Sequence, residues 1–563
     1  MSETGGHTHG TIPSPPIRRV DIAAVLLLGI LSYFWFRWIF NPTTASAGEP
    51  IRLFLYGLPF IVAAVTLALW RGRFAPIAVV SLALVLAQRI LLYSNTADLA
   101  FYAGKTLWAA RGEASIDPVL GVATGYPPVF FVIWGWLSRL AGAEPLVLLR
   151  WATVWNLVGL WVVLRWYGGR LAGKERAVTV FWVAALALFA KEIAGYLFAS
   201  PACFSMPLAL AGWWSWATAR RWPEVIIGAI LLGVAIIIWP THLFGALGVG
   251  LVMGWRRIKD PRAWVFAAAI LFAAIAVWLL RPGHASEDSW SGLRLIPPDP
   301  LNFIWARLVA IVTLGTDANG ALVALAGFLL VVLLVVMAKS GSRAGGAAAL
   351  VRPLWQLSLG LAVGAVLAAY FMIQPAHAIR VAFLAAVVTV PLAARGLDDV
   401  RRRFPGVLAR RAVWIAGLGL VWLLPFLAAV SVSTQREHLW TRYDRVISDR
   451  LKAVCIPGER VWASPEVFCR IVLGRMPVYG FLAHRWPLYY SAPQPAADSL
   501  AAVYYELAAV GPSDSVAATL RGHGVDWVII DRVADSALPL ARTSAIALPV
   551  VLADSAVVLY RVP

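Results

Sequence analysis

A polar, carboxylate-bearing loop, residues 94–150, interrupts a chain that is otherwise mostly apolar. It contains Asp98, Asp117 and a Tyr-Pro-Pro turn that begins at Tyr126. A positioned carboxylate can take the proton of a reacting hydroxyl group, so we expect the chemistry of the protein to lie in this loop. Asp98 also has a purely structural alternative, because aspartate is a frequent cap at the start of a helix.

The residues after Asp98 predict an amphipathic helix that lies on the outer membrane surface. Its apolar face would be formed by Leu99, Tyr102, Leu107 and Trp108, and its polar face by Lys105 and Arg111. A carboxylate at the mouth of such a helix, close to the bilayer, is costly unless it is hydrated or paired. Asp98 is therefore expected to have water or a cationic group beside it.

The composition is that of a polytopic membrane protein. Of 563 residues, 60% are hydrophobic and 14% are charged, and the mean hydropathy is +0.76. Soluble domains carry roughly 25% charged residues. The net charge of +19 lies in short basic clusters between apolar runs, a pattern typical of cytoplasmic loops that face anionic lipid. This distribution argues against a nucleic-acid partner.

Thirteen apolar runs are long enough to cross the roughly 30 Å hydrocarbon layer. They are 22–40, 52–70, 75–93, 146–166, 176–191, 200–218, 223–239, 242–256, 262–280, 319–338, 354–373, 378–394 and 412–432. A further run, 128–142, is excluded by charge, because without it every basic cluster between spans faces the cytoplasm. We therefore predict a juxtamembrane or re-entrant helix over 128–142.

This topology divides the chain into three parts. Residues 1–19 form a disordered cytoplasmic tail rich in Gly, Pro, Ser and Thr. Residues 20–432 form the transmembrane domain, with large outer loops at 94–145 and 281–318. The odd number of crossings places residues 433–563 outside, as a periplasmic or extracellular domain.

The pattern of residues 433–563 predicts a small α/β domain. Strands are expected at 460–464 and 525–531, helices at 465–474 and up to Gly524, and a hairpin at 550–562. Its charged residues are dispersed, so we expect the domain to assist acceptor docking or stability and not to hold the catalytic centre. Cys455 and Cys469 lie in this oxidising compartment and either form a disulfide or stay unpaired.

Several short motifs occur in a recognisable order. A transmembrane helix is followed by Asp98, an aromatic residue, Asp117-Pro118, the Tyr-Pro-Pro turn, an apolar juxtamembrane helix and Arg150 at the start of the next span. Further pieces are KEIAGYLFASPACF, a WPTH segment with His242, the segment HAIR from His377 to Arg380, and the external strand GVDWVII. Their order and sidedness resemble the GT-C superfamily of glycosyltransferases that use polyprenyl-phosphate sugars.

The resemblance implies inverting transfer of a hexosyl or pentosyl group from a polyprenyl-phosphate donor to a cell-envelope acceptor. The acceptor would be a glycan, a lipid or a protein, and the enzyme would lie in the bacterial inner membrane and act at its outer face. Asp98 matches the catalytic acidic position of the family. The resemblance further assigns the donor phosphate to Arg380, Lys191, His377 and His242, and substrate contacts to Tyr102, Lys105, Asp117 and Tyr126.

Some alternatives stay open at this stage. Lys191, His242 and His377 could instead contact lipid headgroups or be ordinary polar residues with internal partners. Asp98 is flanked by Ala97 and Leu99 and not by a second acidic residue, so no metal site is predicted and the need for a divalent cation is open. The rival function is a transporter, flippase or polymerase of polysaccharide or lipid-linked glycan.

The topology yields a first testable prediction. Cysteines placed at Ser115 and Ser513 should react with a membrane-impermeant thiol reagent in intact spheroplasts, because both positions are predicted to lie outside. Labelling is read on the purified protein. Reaction of both positions only after lysis would show that the predicted sidedness is wrong.

Overall fold

The computed structural model describes the helical body around the first loop and most of the C-terminal domain. The described residues are 97–119, 121, 127–163, 167–168, 171, 200–254, 257–280, 348–371, 375–392, 442–464, 467–481, 515–532, 535, 548–553 and 557–563. The α-helices are α1 Ala97–Ala110, α2 Val129–Ala141, α3 Pro145–Val163, α4 Pro201–Thr218, α5 Trp222–Ile238, α6 His242–Val249, α7 Pro261–Leu279, α8 Ala348–Phe371, α9 Pro375–Val387, α10 Arg442–Lys452 and α11 Ser515–Gly522. Two π-helical turns occupy Gly250–Gly254 and Phe468–Val472.

Local sequence signals set the ends of these helices. Helix α4 begins at Pro201, and the hydroxyl of Ser200 accepts the N–H of Cys203. Helix α7 begins at Pro261 in the same way, with Asp260 as its cap. Capping oxygens satisfy N–H groups that have no partner within a first turn, and proline fits the first helical position because it lacks that N–H.

Helix α2 lies where the sequence predicted a helix over 128–142, and its position at the membrane surface stays a prediction. Its 13 residues are too few to cross a bilayer, because a crossing needs about 20 residues. It ends at Gly142, which has a φ of 58° and donates its N–H back to the carbonyl of Arg139. A left-handed glycine is a common way to end a helix, so the length of α2 is fixed by its own sequence.

Within the described part of the chain, two helices are long and apolar enough to cross a membrane by length and composition, Pro261–Leu279 and the Arg352–Phe371 part of α8. On the first of these, Phe272 and Trp278 are 70% and 72% exposed. Rings of this size are stabilised when they leave water. A lipid environment suits this helix surface better than an aqueous one.

Helices α6 and α8 pack at very short range through glycine. A Cβ added to Gly248 would lie 2.1 Å from the carbonyl oxygen of Gly360, and one added to Gly364 would lie 2.4 Å from that of Phe244. Small residues spaced four apart allow helix backbones to approach closely, which is how membrane helices gain packing energy. Any larger side chain at Gly248 or Gly364 would push the two helices apart.

The C-terminal domain contains a mixed sheet of five strands in the order β2-β1-β3-β5-β4. The strands are β1 Arg460–Trp462, β2 Tyr479–Phe481, β3 Trp527–Asp531, β4 Val550–Ala553 and β5 Val557–Arg561. Strand β1 pairs in parallel with β2 and β3, whereas β3 and β4 both pair antiparallel with β5. All five residues of β3 are buried, as expected for a strand covered on both faces.

Most of the expected external elements are present. Strands β1 and β3 and the β4–β5 hairpin lie where the sequence predicted them, and α11 is followed by Gly524 with a φ of 67°. The expected helix over 465–474 is reduced to the π-helical turn Phe468–Val472. Strand β2 was not predicted, because three residues that include Gly480 show no alternation. Cys455 and Cys469 are free thiols, so the disulfide alternative is not observed.

The predicted membrane spans that fall on described residues are helical. They are the described parts of the predicted spans 146–166, 200–218, 223–239, 242–256, 262–280, 354–373 and 378–394, which lie mainly in α3 to α9 and the π-helical turn Gly250–Gly254. The other predicted spans, the tail 1–19 and the outer loop 281–318 lie outside the described residues.

Candidate functional site

Helix α1 carries the predicted catalytic aspartate and is enclosed almost completely. Asp98 is its second residue, within the first turn, where the helix dipole favours an acidic group. From Leu99 to Thr106 every residue is buried. The expected surface helix with one polar face is therefore wrong, because α2, α3 and the external domain all pack around it.

Lys105 shows most clearly that α1 has no exposed polar face at this position. The sequence placed it on a polar face opposite Tyr102, but both residues contact Phe131 of α2. The Lys105 Nζ lies 5.5 Å from the centre of the Phe131 ring, and the Tyr102 ring lies 5.9 Å from it. Asp98, Tyr102 and Lys105 are spaced by four and three residues, so they occupy one face of α1. Of these three residues, Tyr102 and Lys105 contact α2 through Phe131.

Lys105 and Asp117 meet in the interior of the loop, and both are fully buried. Lys105 Nζ donates to the carbonyl oxygen of Ile116 at 3.2 Å, and a carboxylate oxygen of Asp117 accepts the N–H of Val119 at 2.8 Å. Burial lowers the pKa of Lys105 from 10.5 to about 8, and the negative charge of Asp117 opposes that shift. The loop thus holds a cation and an anion at its centre.

A second polar group forms where α4, α6 and α9 meet. The guanidinium carbon of Arg380 lies 5.0 Å from the centre of the Trp239 ring, and its charge acts on the imidazole of His242. His242 is buried at the start of α6, with its Nε2 2.9 Å from the hydroxyl of Ser205. The structure thus brings together two of the predicted phosphate ligands, Arg380 and His242.

Hydrogen bonding restricts what His242 can contribute. The hydroxyl of Ser205 donates to the carbonyl of Ala202 at 2.9 Å, so its oxygen is left to accept from His242. A neutral imidazole then carries its proton on Nε2 and has an acceptor at Nδ1. Arg380 is accordingly the group in this cluster that offers a permanent positive charge to an anion.

One apolar core joins the two polar groups. Tyr102 and Phe131 from the loop belong to the same cluster of buried residues as Ala202 and Trp239. Trp239 therefore packs into the core around α1 while its ring faces Arg380. This continuity fixes the Arg380 group relative to the helix that begins near Asp98.

The other predicted site residues are placed less completely. His377 lies on α9 one turn before Arg380, and only its backbone position is described. Lys191 and Tyr126 fall outside the described residues. Within the described ranges, no group of three or more His, Cys, Asp or Glu side chains could hold a metal ion. Whether the protein needs a divalent cation thus stays open.

The sequence analysis missed three buried residues in this part of the structure. Trp239 directly precedes the Pro-Thr-His segment that contains His242, so its place in the motif was a usable signal. Ser205 gave none, because a serine inside an apolar helix has no distinctive spacing. Arg475 is 3% exposed and follows Gly474 in the turn that packs beside α1. Only the tertiary structure shows that this arginine is buried.

Comparison with known proteins supports the fold. No protein-family model and no curated protein sequence matches the chain. Among solved structures, ArnT from Cupriavidus metallidurans bound to undecaprenyl phosphate matches with a TM-score of 0.52 and 13% identity, over 88% of this chain and 98% of that one. The apo form of ArnT gives a TM-score of 0.39 at 13% identity, over 89% and 98% of the two chains.

A mycobacterial arabinofuranosyltransferase, AftD, gives a TM-score of 0.45 at 18% identity, over 85% of this chain and 40% of AftD. Of these three structures, lipid-bound ArnT is the one whose TM-score exceeds 0.5. It shows that the two chains share a fold over most of their length. The fold that the resemblance implied is thereby confirmed, in that this chain has the fold of ArnT.

The buried lysine gives a prediction about stability and pH. Because the pKa of Lys105 is about 8 in the folded protein and 10.5 in the unfolded chain, the unfolded chain binds more protons between those two pH values. The free energy of unfolding should therefore rise with pH across that window. Lys105→Met should remove this rise, as measured by thermal unfolding in detergent. Lys259→Met, which removes an exposed lysine, should retain it.

Proposed function

We propose that this protein transfers a sugar from a polyprenyl-phosphate donor to a hydroxyl group of a cell-envelope acceptor, with inversion at the anomeric carbon. The transfer takes place at the outer face of the bacterial inner membrane, and the acceptor is a glycan, a lipid or a protein. The observation that carries the proposal is the common core of Tyr102 and Trp239. It links the helix of Asp98 to the cation Arg380.

Asp98 is the proposed general base. In a single displacement, the acceptor oxygen attacks the anomeric carbon while its proton passes to the Asp98 carboxylate. The bond from the anomeric carbon to the phosphate oxygen breaks at the same time, and the lipid phosphate leaves with the electron pair. One carboxylate is sufficient, because no covalent intermediate with the enzyme forms.

Arg380 is the proposed ligand of the departing phosphate. Its guanidinium carries a permanent charge and can make two parallel hydrogen bonds to phosphate oxygens. The centre of the Trp239 ring lies 5.0 Å from the guanidinium carbon. The π face of the ring stabilises the cation without neutralising its charge. His242 of α6 and His377 of α9 complete the proposed phosphate site with Lys191.

The remaining loop residues are proposed to shape the substrate cavity. Tyr102, Lys105 and Asp117 form the buried part of the loop next to α2, and Tyr126 begins the turn that leads into α2. The choice of donor class is supported by the shared fold, since the ArnT structure with this fold was solved with undecaprenyl phosphate.

Replacing the proposed base is the direct test of the mechanism. Asp98→Asn should keep the fold and the binding of undecaprenyl phosphate but lower turnover by roughly 10² to 10⁴. Turnover is measured as release of undecaprenyl phosphate from a panel of undecaprenyl-phosphate-linked hexoses and pentoses, with a simple alcohol or water as the hydroxyl that accepts the sugar. The panel is first run on the wild-type protein, and a wild-type protein that turns over none of them contradicts the proposed function.

A capping aspartate elsewhere in the chain provides the matched control. Asp260 accepts the N–H of Arg262 at the start of α7, and Asp260→Asn keeps the side-chain oxygen that forms this cap. It should leave turnover unchanged. If Asp98→Asn behaves like Asp260→Asn, Asp98 has only a role at the helix terminus.

The phosphate ligand gives a separate prediction. Arg380→Ala should weaken equilibrium binding of undecaprenyl phosphate by roughly 10- to 100-fold, because hydrogen bonds to a charged group are lost. Arg380→Lys should recover part of the affinity, since it restores the charge without the bidentate geometry. Arg257→Ala is the control, because Arg257 also stacks on a tryptophan, Trp216, at 5.6 Å, away from the proposed site. Equal affinities of the Arg380 and Arg257 variants would contradict the assignment.

A further inference from the structure

The loop between α1 and α2 extends the sheet of the external domain. Strand β2 is the edge strand of that sheet. The backbone N–H of Gly480, in the middle of β2, donates to the carbonyl oxygen of Val119 at 2.9 Å. A loop segment that bonds to an edge strand both covers the edge and is held by it. Val119 is two residues from Asp117, so the external domain holds the centre of the proposed site loop.

An aromatic stack reinforces this contact. The rings of Trp108 and Tyr479 are parallel to within 6°, with their centres 4.9 Å apart. Trp108 lies in the last turn of α1, and Tyr479 directly precedes Gly480 in β2. Gly121 lies against the same tyrosine, because a Cβ there would be 3.0 Å from its ring. Tyr479 thus contacts the helix and the loop that follows it.

The turn after the π-helical segment makes a third contact. Gly474 has a φ of 82°, and a Cβ at this position would lie 2.6 Å from the Cβ of Ala103 and 3.0 Å from the carbonyl oxygen of Ala100. Such close approach is open only to glycine, which also adopts this backbone conformation without strain. The turn therefore packs directly on the backbone of α1, less than one turn from Asp98.

The remainder of the interface is a continuous core. Leu99, Phe101 and Ala103 of α1 belong to the same buried cluster as Phe468 and Ile529 of the external domain. Outside the core, Lys452 at the end of α10 pairs with Glu144, at 2.8 Å, in the connection between α2 and α3. The external domain and the first loop thus form one packed unit.

We infer that Tyr479 is a positioning residue for the transfer reaction, which holds α1, and with it Asp98, in place through its stack on Trp108. The inference rests on the proposed function for its catalytic consequence. A helix is stiff over the ten residues that separate Asp98 from Trp108, so fixing one end sets the position of the other. The external domain is accordingly part of the catalytic unit, beyond the docking and stability role expected from its sequence.

The test compares two tyrosines of the same sheet. Tyr479→Ala should lower kcat at least about fivefold with the KM for the donor nearly unchanged, because α1 loses its alignment while the phosphate site at Arg380 is untouched. Tyr479→Phe retains the stacked ring and should have the kcat of the wild-type protein. Tyr560→Ala removes a half-buried tyrosine of β5, paired with Val528 and Val550, and should leave kcat unchanged. A kcat for Tyr479→Ala equal to that of Tyr560→Ala overturns the inference.

Backbone hydrogen exchange tests the effect of Tyr479 on α1 without an activity assay. Backbone amides of residues 99–110 should exchange faster in Tyr479→Ala than in the wild-type protein or in Tyr560→Ala, and unchanged exchange in α1 also overturns the inference. If Tyr479→Ala does not fold, Tyr479→Leu, which keeps apolar volume without a ring, takes its place in both measurements. A wild-type protein that turns over no undecaprenyl-phosphate sugar contradicts the proposed function, and the exchange data then still decide whether Tyr479 holds α1.

Discussion

The burial of α1 on all sides is the constraint on which the rest of the structure depends. An isolated helix of 14 residues is only marginally stable in water, so its stability here comes from packing. The surfaces that cover it come from α2 and α3 on one side and from a domain more than 300 residues later in the chain on the other. The loop, the juxtamembrane helix and the external sheet therefore stabilise one another.

A fully buried cation, Lys105, and a half-buried one, Arg380, impose a second constraint on the same region. Lys105 and Arg380 are each placed beside an aromatic ring, Phe131 and Trp239 respectively, and Lys105 also has a backbone carbonyl and a buried carboxylate near it. Taking a charge out of water is expensive unless it is paired or hydrogen-bonded. The ring contacts of both side chains, and the hydrogen bond from Lys105 to the carbonyl of Ile116, lower that cost.

Close helix packing in the membrane part gives these groups a rigid support. Gly248 and Gly364 let α6 and α8 touch through their backbones, and His242 stands at the start of the same α6. The position of His242 is thus set by glycine contacts one and two turns along its own helix. Packing of this kind tolerates little displacement of one helix against the other.

The sequence by itself determined the membrane class, the helical spans among the described residues, most of the external strands and the motif order that indicates the GT-C fold. These properties follow from local hydrophobicity, charge between spans and capping residues, all of which are written along the chain. Tertiary structure alone decided that Lys105 is buried, that Ser205 contacts His242, and that Tyr479 stacks on Trp108. Each of these depends on residues far apart in sequence, and periodicity cannot show that a distant domain will cover a face that looks polar.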